Sequence, residues 1–127
     1  MKPLLTALML GNAALFAFGA LQHAGVAIGS LREPAIIPAS VVEALCAFAL
    51  SWGAAAIMKH SLNAWRTACI GNLVAIVGVV IGMVALALGA GPRTASNNLY
   101  HRIMLALATA SFVILLVPAG RRALKRN

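Results

Sequence analysis

The sequence predicts an all-α membrane fold: one integral four-helix bundle with both termini on the cytoplasmic side. Three observations carry this expectation. Apolar residues make up 62% of the 127-residue chain and charged residues 9%, a balance foreign to water-soluble domains. The apolar residues gather into four runs, each near the roughly 20 residues a helix needs to cross ~30 Å of hydrocarbon. The basic residues lie almost wholly outside those runs, as they do where charge sets topology.

The first run, Leu4 to Gly29, follows Lys2 and contains the polar Asn12, Gln22 and His23. It exceeds the roughly 7 to 15 apolar residues of a secretory signal core, so it reads as a span. The connection SLREPAIIP carries Pro34, which suits an extended link, and Pro38, which suits a first helical turn. The second run is Pro38 to Met58. A short link, KHSLN, makes it the antiparallel neighbour of the third run, Ala64 to Gly89. In the next link, GPRTASNN, Gly91 reads as a helix stop and Asn98 as the N-cap of the fourth run, Leu99 to Ala119. Pro118 and Gly120 close that run and leave a basic tail over 120–127. The runs leave no length for a separate soluble domain, so residues 1–127 form one transmembrane domain.

The net charge of +8 reports topology, not nucleic-acid binding. Lys2, Lys59, Arg66, Arg121, Arg122, Lys125 and Arg126 fall on one side of the bundle, and Arg32, Arg93 and Arg102 on the other. The positive-inside rule then places both termini in the cytoplasm, and the expected setting is a bacterial inner membrane. The expected partners are the bilayer and anionic headgroups facing the tail residues Arg121, Arg122, Lys125 and Arg126, at about 1 kcal/mol per basic residue. A homo-oligomer or a larger membrane complex is compatible with so small a chain.

In the third run Gly71, Ala75, Gly78, Gly82, Ala85 and Gly89 alternate at helical spacings, making one face on which another backbone can approach closely. The stripe suits packing within the bundle or a homodimer. Gly11-Asn12 in the first run recurs as Gly71-Asn72 in the third, which would fit two parallel hairpins. It also sets Asn12 and Asn72 at similar depth.

Glu43 is one of only two acidic residues and lies inside the second run, where an ionisable group is costly enough to need a partner or a purpose. At ~1.5 Å per residue, His23 falls about 9 Å and Glu43 about 8 Å inside the outer boundary of their spans. His101 and Arg102 enter the fourth span at the same end, which defines an outer polar cluster of His23, Glu43, His101 and Arg102. Three readings compete for it. In the structural one, Ser40 and Glu43 form a capping box, or Glu43 is neutralised by Arg102 or an imidazolium. In the second, Glu43 exchanges protons with His23 or His101 along a proton or solute pathway. In the third, the two histidines hold a haem, or join Glu43 around a metal.

Cys46 and Cys69 fall at different depths, which argues for packing thiols over a disulfide. Trp65 and Tyr100 read as interface anchors, Trp52 as a packing residue and His60 as a solvated loop residue. There is no Ser-His-Asp set, phosphate-binding glycine loop or paired carboxylate, so no catalytic residue, metal site or cofactor is predicted. The segments EPAIIPASVVEAL and NNLYHRIMLAL resemble those of small bacterial four-span membrane proteins comparable with the DoxX-like group. That resemblance implies an all-helical membrane fold and transfers no active residue. The chain lacks the first-span glutamate of small multidrug exporters and the Phe-box of fluoride channels. The function expected first is a non-enzymatic accessory or interaction subunit. A small proton-linked transporter or channel using Glu43 with His23 or His101 comes second, and a haem- or metal-binding redox subunit third.

Overall fold

The computed structural model describes residues 1–28, 34–91 and 93–125. They fold into four long helices, α1 (Lys2–His23), α2 (Ile37–Met58), α3 (Ala64–Ala87) and α4 (Ala95–Leu116), and a short α5 (Pro118–Lys125). Each long helix is long and apolar enough to cross a membrane. Successive helices pack side by side and α4 returns against α1, so the four close into a ring.

The helix ends differ from the sequence expectation, and the backbone shows why. Helix α1 stops at His23, not Gly29, because Gly25 turns into the left-handed region at φ +84. There Gly25 N–H donates to the Gln22 carbonyl and Val26 N–H to that of Leu21, the paired bonds that close a helix past a left-handed residue. Helix α3 ends at Ala87 the same way, with Gly89 at φ +87 and Ala90 N–H reaching the Ala85 carbonyl. Gly89, not Gly91, is therefore the stop signal. His60 plays this part after α2 at φ 51, a conformation that histidine tolerates better than most side chains.

Helix α4 begins four residues earlier than Leu99. Thr94, not Asn98, is its N-cap, and the Thr94 hydroxyl accepts from Asn97 N–H at 3.1 Å. Several cap-competent side chains precede the apolar run, and the first turn they form is exposed, so hydrophobicity does not mark its start. At the other end Pro118 forces Val117 into an extended conformation (ψ 147), which ends α4 at Leu116, before Ala119. The chain then restarts as α5, so most of the expected basic tail is helical. Arg32 and Arg126 lie outside the described residues.

The first connection also corrects the capping box. Helix α2 starts at Ile37, which places Ser40 inside the helix, and no side chain caps its N-terminus. The Ser40 hydroxyl instead donates across to the Ala20 carbonyl of α1 at 2.8 Å. Ile36 N–H adds a second tie, to the His23 carbonyl at 2.8 Å.

Small residues set the approach of α3. Gly71, Ala75 and Gly78 are buried, with Gly71 against the Ala49 backbone of α2 and Gly78 against Cys46. Gly82 faces His101 of α4, and Ala85 borders an internal cavity. Gly89 is exposed with nothing within 4 Å of a built Cβ, so it terminates the helix and takes no part in this seam. The two asparagines are both fully buried but are not equivalent. Asn12 donates across the bundle to the Met104 carbonyl at 3.3 Å, whereas Asn72 donates within its own helix to Ala68 at 2.9 Å.

Much of the buried apolar core, including Leu5, Met9, Leu50, Ile57 and Leu115, lies toward one end of the bundle. That end also gathers Lys2, whose amine lies 3.2 Å from His60 Nδ1, and Arg121, whose guanidinium sits 4.8 Å from the Trp65 ring centre. At the opposite end Arg93 donates to the Leu86 and Ala87 carbonyls, which places a cation at the negative end of α3. Outward faces are apolar, with Phe48 69% and Trp52 56% exposed. Cys46 and Cys69 are both free thiols.

Trp65 does more than mark an end. Its indole N–H donates at 2.9 Å to the Leu115 carbonyl, in the last turn of α4, where carbonyls lack partners along the helix. Trp65→Phe keeps an aromatic ring, though a smaller one, and removes the donor. The substitution is expected to cost about 1 kcal/mol, read as a lower midpoint of thermal unfolding in detergent.

Candidate functional site

Four helices bring polar side chains to the end of the bundle opposite Leu5 and Ile57. His23 is the last residue of α1, and Glu43 lies nearly two turns into α2. The two meet with His23 Nε2 3.8 Å from Glu43 Oε1, and both are buried, at 8% and 6% exposure. Burial of an ionised carboxylate among apolar side chains is prohibitive unless it is paired, and the imidazole of His23 supplies the nearest group able to carry positive charge.

Tyr100, read from sequence as an interface anchor, belongs to this site. Its hydroxyl donates to the Leu15 carbonyl at 2.7 Å and stands with the Glu43 carboxylate around Gly19. A Cβ at Gly19 would lie 2.6 Å from Glu43 Oε2 and 2.8 Å from Oε1, and would overlap the tyrosine oxygen. Glycine is therefore required at this point of α1 for α2 and α4 to place their polar groups there. A phenol has one proton to donate, and this one is engaged by Leu15. Tyr100 can thus accept a hydrogen bond from a neutral Glu43 while its own proton stays on the Leu15 side. Glu43 Oε2 correspondingly accepts no well-formed hydrogen bond among the described residues.

Three consecutive residues of α4 point in three directions, because each step turns ~100° around a helix. Tyr100 faces α1, His101 faces α3, and Arg102 is exposed on the outer flank. Arg102 is therefore not part of the cluster; His101, which is buried, takes the inward position. His101 Nδ1 lies 2.8 Å from the Asn97 carbonyl. A carbonyl only accepts, so Nδ1 carries a proton. The Nε2 atom is the one that approaches Gly82, 2.9 Å from a Cβ built there, and in neutral His101 it holds a lone pair.

Between the helices at this level is a cavity of about 300 Å³, with His23, Glu43 and His101 on its walls. The rest of the lining is mostly apolar, including Phe16, Val42, Val79 and Met104, and Ile36 and Ala90 border it from the first and third connections. A second hollow of about 150 Å³, between α1 and α4, is lined by Gly19, Gln22, Tyr100 and again His23. His23 thus borders both. The pattern of groups suits reversible proton exchange, since a carboxylate and an imidazole in contact can share one proton and keep a constant total charge. Among the described residues no three His, Cys, Asp or Glu side chains are grouped to hold a metal ion.

Compared with protein-family models, curated proteins and solved structures, the chain finds no match. Of the four residues expected in the cluster, His23, Glu43 and His101 border one cavity and Arg102 does not. Of the residues expected in the tail, Arg121 and Arg122 are exposed on α5 and Lys125 ends that helix. The meeting of Gly19 with Tyr100 and Glu43 escaped sequence reasoning because no local pattern links a glycine in α1 to a tyrosine in α4. The one available signal was the polar run ending in Tyr100-His101, too long for simple anchoring.

Proposed function

We propose that this is a multi-pass protein of a bacterial cytoplasmic membrane, with both termini inside, that acts as a small proton-linked carrier or channel with Glu43 as its proton-binding group. One observation carries the reading: the buried His23–Glu43 contact at 3.8 Å forms part of the wall of a cavity of about 300 Å³. An accessory subunit held only by its outer faces has no need of such a cavity, and a purely structural ion pair has no need to border one. The apolar outward faces of the four long helices support the membrane setting. The joint placement of Lys2, the second connection and α5 at one end supports common sidedness for both termini.

In this reading Glu43 gains a proton from the side to which the cavity opens. While neutral it can donate to the Tyr100 oxygen, and on ionising it is balanced by protonated His23. The proton passing from Glu43 to His23 keeps the total charge of the pair constant, and its release from His23 toward the other side leaves the bare carboxylate that takes up the next proton.

The test is proton movement in proteoliposomes under an imposed pH gradient, with small-molecule extract of the expression host on both sides so that a coupled solute is present. The wild-type protein should collapse the gradient faster than protein-free vesicles. Glu43→Gln, which keeps shape but cannot exchange a proton, should slow the collapse by about tenfold or more, equivalent to ~1.4 kcal/mol. A correctly folded Glu43→Gln protein with wild-type rates would sink the proposal.

A further inference from the structure

We infer that the cavity between the four helices is a binding site for a lipophilic ammonium cation, which occupies the space beside Glu43 in competition with a proton. This inference rests on the proton-linked reading for its coupling and on the cavity's chemistry for its ligand.

Shape and polarity choose the class. The cavity, at about 300 Å³, has a predominantly apolar lining, as small-molecule sites do when a few polar groups fix orientation. Those polar groups share one sense. Glu43 brings the only carboxylate among the described residues, and one of its oxygens is left without a well-formed donor because the Tyr100 proton is engaged by Leu15. His101 has its proton on the Asn97 side, so the nitrogen toward the cavity offers a lone pair when the ring is neutral. His23 completes the set at Glu43 Oε1. A guest that is apolar over most of its surface and positive at one end satisfies every wall. An anion would meet a carboxylate and a lone pair, and a neutral hydrocarbon would leave the carboxylate of the proton-free His23–Glu43 pair uncompensated.

The direction of coupling follows from the ionisable groups around the cavity. Glu43 is met by His23 from α1 and by Tyr100 from α4, with Cys46 one turn along α2 and His101 of α4 on the wall of the same cavity. Helix α3 contributes Gly78 and Gly82 there and no ionisable side chain. Protonation of Glu43 removes the counter-charge, and protonation of either histidine adds a like charge. All three changes weaken cation binding, so acid releases the cation and the cation displaces a proton.

The experiment is equilibrium dialysis of the full chain in detergent with phenyltrimethylammonium, whose fixed charge assigns any pH effect to the protein, and with tert-butylbenzene, its uncharged isostere, as competitor. The expected result is saturable binding that weakens about tenfold or more in Glu43→Gln and again on acidification, with little displacement by tert-butylbenzene. A second variant, Ala39→Leu, fills the cavity from α2 while keeping Glu43 and should also abolish binding. Thermal unfolding checks that both variants are folded. No saturable binding to the folded wild type, or equal binding by folded Glu43→Gln, overturns the inference, as does displacement by the neutral isostere at equal concentration. If binding fails while proton movement in vesicles persists, the ligand class is wrong and the proton-linked reading stands. If binding holds while proton movement is absent, the site is real and carriage is wrong.

Discussion

Gly19→Val is expected to be among the most damaging single changes in α1, lowering stability by about 3 kcal/mol or more and dispersing the polar site with it. A Cβ at this position overlaps the Tyr100 hydroxyl and comes within 2.6 and 2.8 Å of the two Glu43 oxygens. Neither neighbour has an easy retreat. Tyr100 is held by its bond to Leu15, and the α2 segment bearing Glu43 is tied to α1 through Ser40 and Ala20. Gly19→Ala should act in the same direction to a smaller extent. Gly11→Val on the same helix provides the comparison, since that position is exposed with nothing within 4 Å of a built Cβ. Thermal unfolding in detergent should therefore fall sharply for position 19 and little for position 11. Equal melting of the two variants would remove the packing argument for Gly19.

The second large effect is expected at Gly71, where leucine should force α2 and α3 apart. Here the obstacles are backbone atoms. A Cβ would sit 2.5 Å from the Ala49 carbonyl oxygen, 3.1 Å from its carbon and 3.4 Å from Leu50 Cα. Side chains can rotate away, but a helix backbone moves only as a unit, so the penalty should reach the upper end of the ~1–3 kcal/mol typical of overpacking. Gly89→Leu lies on the same sequence stripe and makes the contrast. It meets no neighbour, and its cost is the left-handed conformation alone, about 1–2 kcal/mol. Size-exclusion chromatography with light scattering separates the two roles of the stripe. If Gly71 packs within the bundle, Gly71→Leu lowers the unfolding temperature and leaves the oligomeric state unchanged. If melting is unchanged and a dimer disappears, the seam belongs between two copies.

The same residues show how far sequence reasoning reaches into the site. Glu43 was conspicuous because rarity and an apolar setting are local properties, visible without a fold. His23 and His101 followed from depth, because rise per residue is fixed and each helix end could be placed approximately. Arg102 was included on the same basis and fails, since depth says nothing about rotation around the axis and adjacent residues point ~100° apart. Ser40 shows a different failure. Its spacing to Glu43 fits a cap, but that requires the helix to begin at Ser40, and α2 begins at Ile37, which turns the hydroxyl into a link between helices.

The helix ends were misplaced by a few residues for a related reason. Hydrophobicity marks where a chain prefers lipid, whereas a helix stops where the backbone turns left-handed and the last carbonyls find donors. Gly25 performs that turn inside a run that remains apolar beyond it, and Gly89 performs it as the last residue of its run, two residues past the end of α3.

What the sequence determined by itself is the all-helical plan of four long apolar helices, their order, and the presence of a lone acid among them. These depend on how many apolar residues succeed one another and on where basic ones interrupt, which are properties of the chain taken along its length. Only the tertiary structure decided that Glu43 meets His23, that Tyr100 completes the site across Gly19, and that His101 and not Arg102 faces the cavity. Those contacts join helices distant in sequence and depend on the rotation and approach of each one. Rotation and approach are set by the packing of small residues such as Gly19, Gly71 and Gly78, whose effect exists only once another helix lies against them.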